Sequence, residues 1–331
     1  MRPTYLILFA ITLLQSCSRH REECAFVPDT DHIALNLAIE HLEDSISGFS
    51  SKQQLVEFFS RHPTMRDHFF SRTAYPSDSL FINELYNRFT HPYFDSLLAE
   101  TRKRLGSLSD LEKEFELAFK NLTYYYPDFQ PPKIQTVISG LETDLFVSDS
   151  LVIIGLDYYL GPGARYRPNM HDYILRRYQK NFIVPSVLLL YGIDAKYNFN
   201  NPEDKTVLAD MITYGKAYYF AKQMLPCVAD STFIGYTREE IEGSRDNLDL
   251  IWKRFIEDEV LYATTHLVKQ KYIAERPKTF EVGEKCPGRI GTWVGWEIVK
   301  QYMKNTRVAL PQMMQTREGA EIFKKSRFRP V

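Results

Sequence analysis

The side chains best suited to carry chemistry in this 331-residue sequence are four cysteines and eight histidines, and one cysteine stands in a pattern that names its reaction. Ser16-Cys17 closes an apolar run from Tyr5 to Leu14 that Arg2 opens. A cationic start, about ten apolar residues and a small residue before the cut make a secretory signal, and the run is too short to span a bilayer. A cysteine directly after that small residue is where exported lipoproteins take a diacylglycerol on the thiol. Cys17 is therefore the expected lipidation site and the mature N-terminus. An ordinary cleaved signal, or an uncleaved anchor, are the alternative readings.

The other reactive residues form no recognised constellation. Cys24, Cys227 and Cys286 contain no CxxC and no Cys-His cluster, so they give no zinc signal. Export permits a disulfide, and Cys227 with Cys286 is the expected pair, because both lie beside prolines in the folded part while Cys24 sits in the tether. No two histidines are four residues apart, so no helical pair faces one metal. Gly161-Pro162-Gly163 lacks the later glycine and lysine of a phosphate loop, and no Gly-x-Ser-x-Gly elbow occurs. Glu239, Glu240 and Glu242, then Glu257, Asp258 and Glu259, read as solvated helix faces, since adjacent carboxylates on a helix point different ways.

The elements that must position these residues follow from periodicity. With 44 % hydrophobic residues and 41 basic against 42 acidic side chains, the chain reads as a folded globule with no field to recruit nucleic acid. Residues 1–16 are the expected signal, 17–30 the lipidated cysteine and tether, and 31–331 one domain. Apolar residues at three-to-four spacing predict helices through 31–126: Ile33 to Ile46, Leu55 to Phe59 behind a Ser51 cap, Phe81 to Phe89, and Ser109 to Tyr126 with Asp110 as cap. The pattern then alternates, and residues 133–160 predict a small antiparallel sheet, with Lys133 to Ile138 half-buried and Leu151 to Leu156 buried. Helices resume over 200–331, including Asp204 to Leu225, Thr237 to Val268 and Ile290 to Met303 before a basic, solvated end. The class is α+β and predominantly helical.

One block is specific: Cys286-Pro287-Gly288-Arg289-Ile290-Gly291-Thr292-Trp293-Val294-Gly295-Trp296. With Ser16-Cys17, the Leu156-Asp157-Tyr158-Tyr159-Leu160-Gly161 turn and Ile251-Trp252-Lys253-Arg254-Phe255, it resembles the gliding-motility lipoprotein GldB family of Bacteroidetes over nearly the whole mature chain. That family is in turn distantly similar to zinc metallopeptidase-like domains, which implies a zincin-like arrangement. In the matching register Gly215 and Tyr219 take the two histidine places of His-Glu-x-x-His and Lys216 takes the glutamate's, while Glu257 is a candidate relic ligand. Glycine has no ligating side chain and lysine is a poor base at neutral pH. The resemblance thus implies a pseudoenzyme, with no catalytic residue, metal or cofactor.

The expected function is a non-catalytic lipoprotein of the gliding and type IX secretion envelope machinery. A groove lined by Lys216, Tyr219, Arg289, Trp293 and Trp296 would bind envelope proteins of that machinery, since Trp and Arg dominate binding hot spots. The alternatives are an unconventional hydrolase or a general envelope lipoprotein in a host that does not glide. Ser18 to Glu23 lacks an early acidic run, which points to the periplasm.

Overall fold

The computed structural model describes Cys24 and residues 26–330. The expected signal and Cys17 lie outside the described residues. The α+β class holds: helices surround one four-stranded sheet of β1 (Ile39–His41), β2 (Lys133–Val137), β3 (Leu145–Val147) and β4 (Leu151–Gly155), in the order β1-β2-β4-β3.

The sheet departs from the antiparallel expectation. β1 pairs with β2 and β2 with β4 in parallel, and only β3 runs antiparallel to β4. The reason is burial: β2 and β4 are covered on both faces, so their residues need not alternate, as is usual for parallel strands. The segment expected to be a first helix instead supplies β1, followed by the short α1 (Glu43–Ser47).

Between β1 and β2 lie α2 (Lys52–Arg61), α3 (Asp78–Phe89), α4 (Pro92–Leu105) and α5 (Ser109–Tyr125). Ser51 does cap α2, its hydroxyl accepting from the Gln54 amide at 3.3 Å. The apolar faces of α3 and α5 bury Phe81, Leu85 and Phe89, and Leu111, Phe115 and Phe119. Asp110 lies inside the first turn of α5 rather than at its cap, which is Leu108.

The second half contains α6 (Asp172–Leu175), α7 (Ile183–Ile193), α8 (Val207–Met224), α9 (Asp230–Ile234) and α10 (Arg238–Asp246). It continues through α11 (Leu248–Glu257), α12 (His266–Tyr272), α13 (Ile290–Thr306), α14 (Leu310–Gln315) and α15 (Gly319–Ser326). The long helix expected over Thr237 to Val268 is thus broken into three. Among the described residues no helix is long and apolar enough to cross a membrane.

Helix α8 is buried on nearly every side, which makes it the axis of this half. It crosses α13 with backbone against backbone. A Cβ on Gly215 would lie 2.4 Å from the Gly295 carbonyl oxygen, and one on Gly295 would lie 1.9 Å from that of Met211. Helix α7 meets α8 the same way, since a Cβ on Gly192 would stand 2.9 Å from the Ala217 carbonyl. Only glycine permits these approaches.

The cysteine pairing is also corrected. Cys24 is joined to Cys227, and Cys286 is free. Cys286 is held within its own turn, where its carbonyl accepts from the Thr279 amide at 3.0 Å and its Sγ faces the Pro287 carbonyl. The bond ties Cys24 to the chain just after α8 across a separation of 203 residues. A loop that long carries roughly 5 kcal/mol of unfolded-state entropy in the chain-entropy account.

Gly295→Ala is expected to cost about 3 kcal/mol or more, because the methyl meets backbone that cannot rotate away, and urea unfolding measures it. Replacing Cys24 and Cys227 together by serine should lower stability by ~2–5 kcal/mol, whereas Cys286→Ser should change it little.

Candidate functional site

The structure disperses the expected groove. Trp293 and Trp296 are both 0 % exposed and form the centre of the α8–α13 core, the Trp296 ring lying tilted 5.3 Å from that of Tyr218. Their indole nitrogens find no hydrogen-bond partner among the described residues. They cannot touch a partner because the helix crossing at Gly215 and Gly295 closes over them. Glu257 lies on the exposed side of α11, paired with Lys253 at 3.7 Å and Arg254 at 3.8 Å, away from the clefts described below. Tyr219 is half-buried and lines neither cleft.

Lys216 is buried completely. Its Nζ donates to the carbonyls of Phe199 at 2.7 Å and Thr316 at 3.0 Å, two segments that also pair with each other through the Phe199 amide and the Met314 carbonyl. The lysine therefore ties the chain before α8 to the α14–α15 connection. Desolvation pushes its pKa down to about 7. Gly215 and Lys216 thus have packing duties in place of the ligand and base positions assigned to them.

Arg289 is the expected residue that does reach a cavity. It takes the left-handed conformation, φ 59°, at the start of α13. Gly288 before it passes under the Arg276 carbonyl, where a Cβ would lie 1.7 Å from the oxygen, and the Tyr236 hydroxyl donates to the Gly288 carbonyl at 2.6 Å. Gly291 lets α13 start against Tyr272 and Ile273. The block from Cys286 to Trp296 is therefore mostly a device for launching one helix at a fixed angle.

The guanidinium sits under that launch point. It donates to the Tyr218 hydroxyl at 3.3 Å and to the Ile234 carbonyl, and its Nε stands 3.5 Å from Glu275. Glu275 also accepts from Arg177 at 2.7 Å. Burial works against the charge, but Tyr218, Glu275 and Tyr236 more than offset it and the pKa is raised. Arg289 and Tyr218 line two clefts, one of about 340 Å³ with Tyr214, His266 and Lys269, the other of about 160 Å³ with Arg177, Asp144 and Phe233.

These clefts present paired charges and phenolic hydroxyls. In the smaller cleft the Tyr178 hydroxyl donates to the Asp144 carboxylate at 3.0 Å, and among the described residues no group of three His, Cys, Asp or Glu could hold a metal ion. Such a lining suits recognition by hydrogen bonds over apolar floors. Sequence periodicity missed Arg177, Glu275 and Tyr236, which come from separate turns; only the Tyr218-Tyr219 doublet carried a signal.

Behind Arg289 lies a buried ionic web. Asp230 accepts from Lys300 at 2.7 Å and from Arg245 at 3.2 Å, and pairs with Lys222 at 3.3 Å, while Lys300 also meets Glu297 and covers the Trp296 ring at 4.3 Å. Desolvation raises the Asp230 pKa, yet Lys300 and Lys222 overcome it and hold the carboxyl below its usual range. This web is structural: it joins α8, α9, α10 and α13.

The depressed pKa of Lys216 has a measurable sign. Below about pH 7 both folded and unfolded chains carry its proton, and above that value the unfolded chain binds more, so stability should rise with pH toward the ordinary lysine value of 10.5. The slope approaches about 1.4 kcal/mol per pH unit. Urea unfolding of wild type and Lys216→Met at pH 7, 8 and 9 should show this rise only in the wild type.

No curated protein and no solved structure matches the chain, so the metallopeptidase likeness gains no support. The family model described as gliding motility protein GldB matches residues 23–330. The chain belongs to the GldB lipoprotein family.

Proposed function

We propose that this protein is a non-catalytic, lipid-tethered binding component of the gliding and type IX secretion envelope machinery, facing the periplasm. The observation that carries the reading is the use of the family's most specific block. Its glycines and tryptophans pack α13 on α8, and its arginine stands between two clefts lined by charged and phenolic side chains. A body built this way presents recognition surfaces around Arg289 to an envelope protein.

The tether supports the same reading. Cys17 is the acceptor for the lipid, and two or more acyl chains would anchor the body durably. The disulfide at Cys24 leaves only the seven residues 18–24 between lipid and body, a reach of at most roughly 25 Å. The recognition surface is therefore confined to the membrane's immediate neighbourhood.

Deletion in the native host, scored for colony spreading and for the secreted proteome, tests the proposal. Loss of either should be restored by the wild-type gene and by Lys216→Met, but not by Cys17→Ser, which should move the protein to the soluble fraction. Spreading and secretion both intact after deletion would overturn the role, and near one zinc per chain in protein prepared without chelators would overturn the non-catalytic assignment.

A further inference from the structure

A cleft of about 550 Å³ lies away from Arg289, beside the first turns of α5. Its rim carries two cations, and both are already matched. Lys180 pairs with Asp110 at 2.6 Å and donates to the Leu105 carbonyl at 2.8 Å. Arg104 donates to Glu100 at 2.9 Å and to the Leu160 carbonyl at 3.3 Å.

Glu114, one turn beyond Asp110, is the acid left over. It is half-buried in the cleft wall, and among the described residues it has no ion pair and no hydrogen bond. Burial, with the Asp110 carboxylate second, pushes its pKa up to about 7. Tyr159 lines the same cleft from the family's Asp-Tyr-Tyr turn, but its hydroxyl is closed off from water and has Asp144 and Tyr178, not Glu114, as its neighbours. A carboxylate half-buried against apolar walls gains from a cationic partner.

The charge inventory narrows the occupant. Arg104 is matched by Glu100 outside the lining and Lys180 by Asp110, which leaves Glu114 as the carboxylate of the lining without a cation. An anion would find both cations engaged, and a neutral ligand would leave Glu114 uncompensated. The Leu105 and Leu111 walls suit an apolar stem carrying a compact charge at its tip. We propose that this cleft receives a primary ammonium group, from a small alkylamine or from a partner's lysine side chain, which pairs with Glu114. This site is separate from the Arg289 clefts and does not depend on their role.

Saturation-transfer NMR on the full mature chain in detergent tests it, with three probes: n-pentylamine, acetyl-Gly-Lys-Gly-amide and the same peptide with norleucine for lysine. The two amines should bind and the norleucine peptide should not. Binding requires the Glu114 carboxylate, so affinity should rise about tenfold between pH 6 and pH 8. Glu114→Gln, checked by its melting curve to be folded, should lose at least tenfold in affinity. Binding of both amines supports a small-molecule source, and binding of the lysine peptide alone supports a polypeptide one. Equal binding of the norleucine peptide, no binding of either amine, or unchanged affinity in a folded Glu114→Gln overturns the proposal.

Discussion

Everything in the C-terminal half depends on the contact between Gly215 and Gly295. Two helices that meet backbone to backbone fix their crossing to within the width of a methyl group, because any side chain at the crossing would occupy the partner's carbonyl. Trp293 and Trp296 then fill the space on either side, and Tyr218 is brought beneath the start of α13. Arg289 reaches Tyr218 and Glu275 because that helix can begin in only one place.

This constraint also changes the meaning of the Gly215-Lys216 pair. Set against a metallopeptidase helix, the two residues read as lost ligand and lost base. In the folded chain Gly215 is required by packing and Lys216 by the carbonyls of Phe199 and Thr316, so neither position is idle. A buried lysine with carbonyl partners alone is a costly tie, and its depressed pKa is the direct expression of that cost.

Covalent and ionic ties meet at the end of α8. The disulfide fixes the tether there, and within a few residues Asp230 gathers Lys222, Lys300 and Arg245. The chain around the disulfide is thus braced into α9, α10 and α13. The charged clefts that face outward are elsewhere, at Arg289 and at Glu114.

Legible in the residues alone were the helical character of most segments, the Ser51 cap, the α+β class and the family, because periodicity and a rigid glycine-tryptophan block are local signals. The sequence also singled out Arg289, which lines two clefts without the other residues of the expected groove. It did not determine strand direction, since β2 and β4 are buried on both faces and lose the alternation that marks an open sheet. Nor could it separate a tryptophan that binds from one that packs, or choose between Cys24 and Cys286 as the partner of Cys227. Those choices rest on which segments, 70 to 200 residues apart, come to lie side by side, and only the tertiary structure decided them.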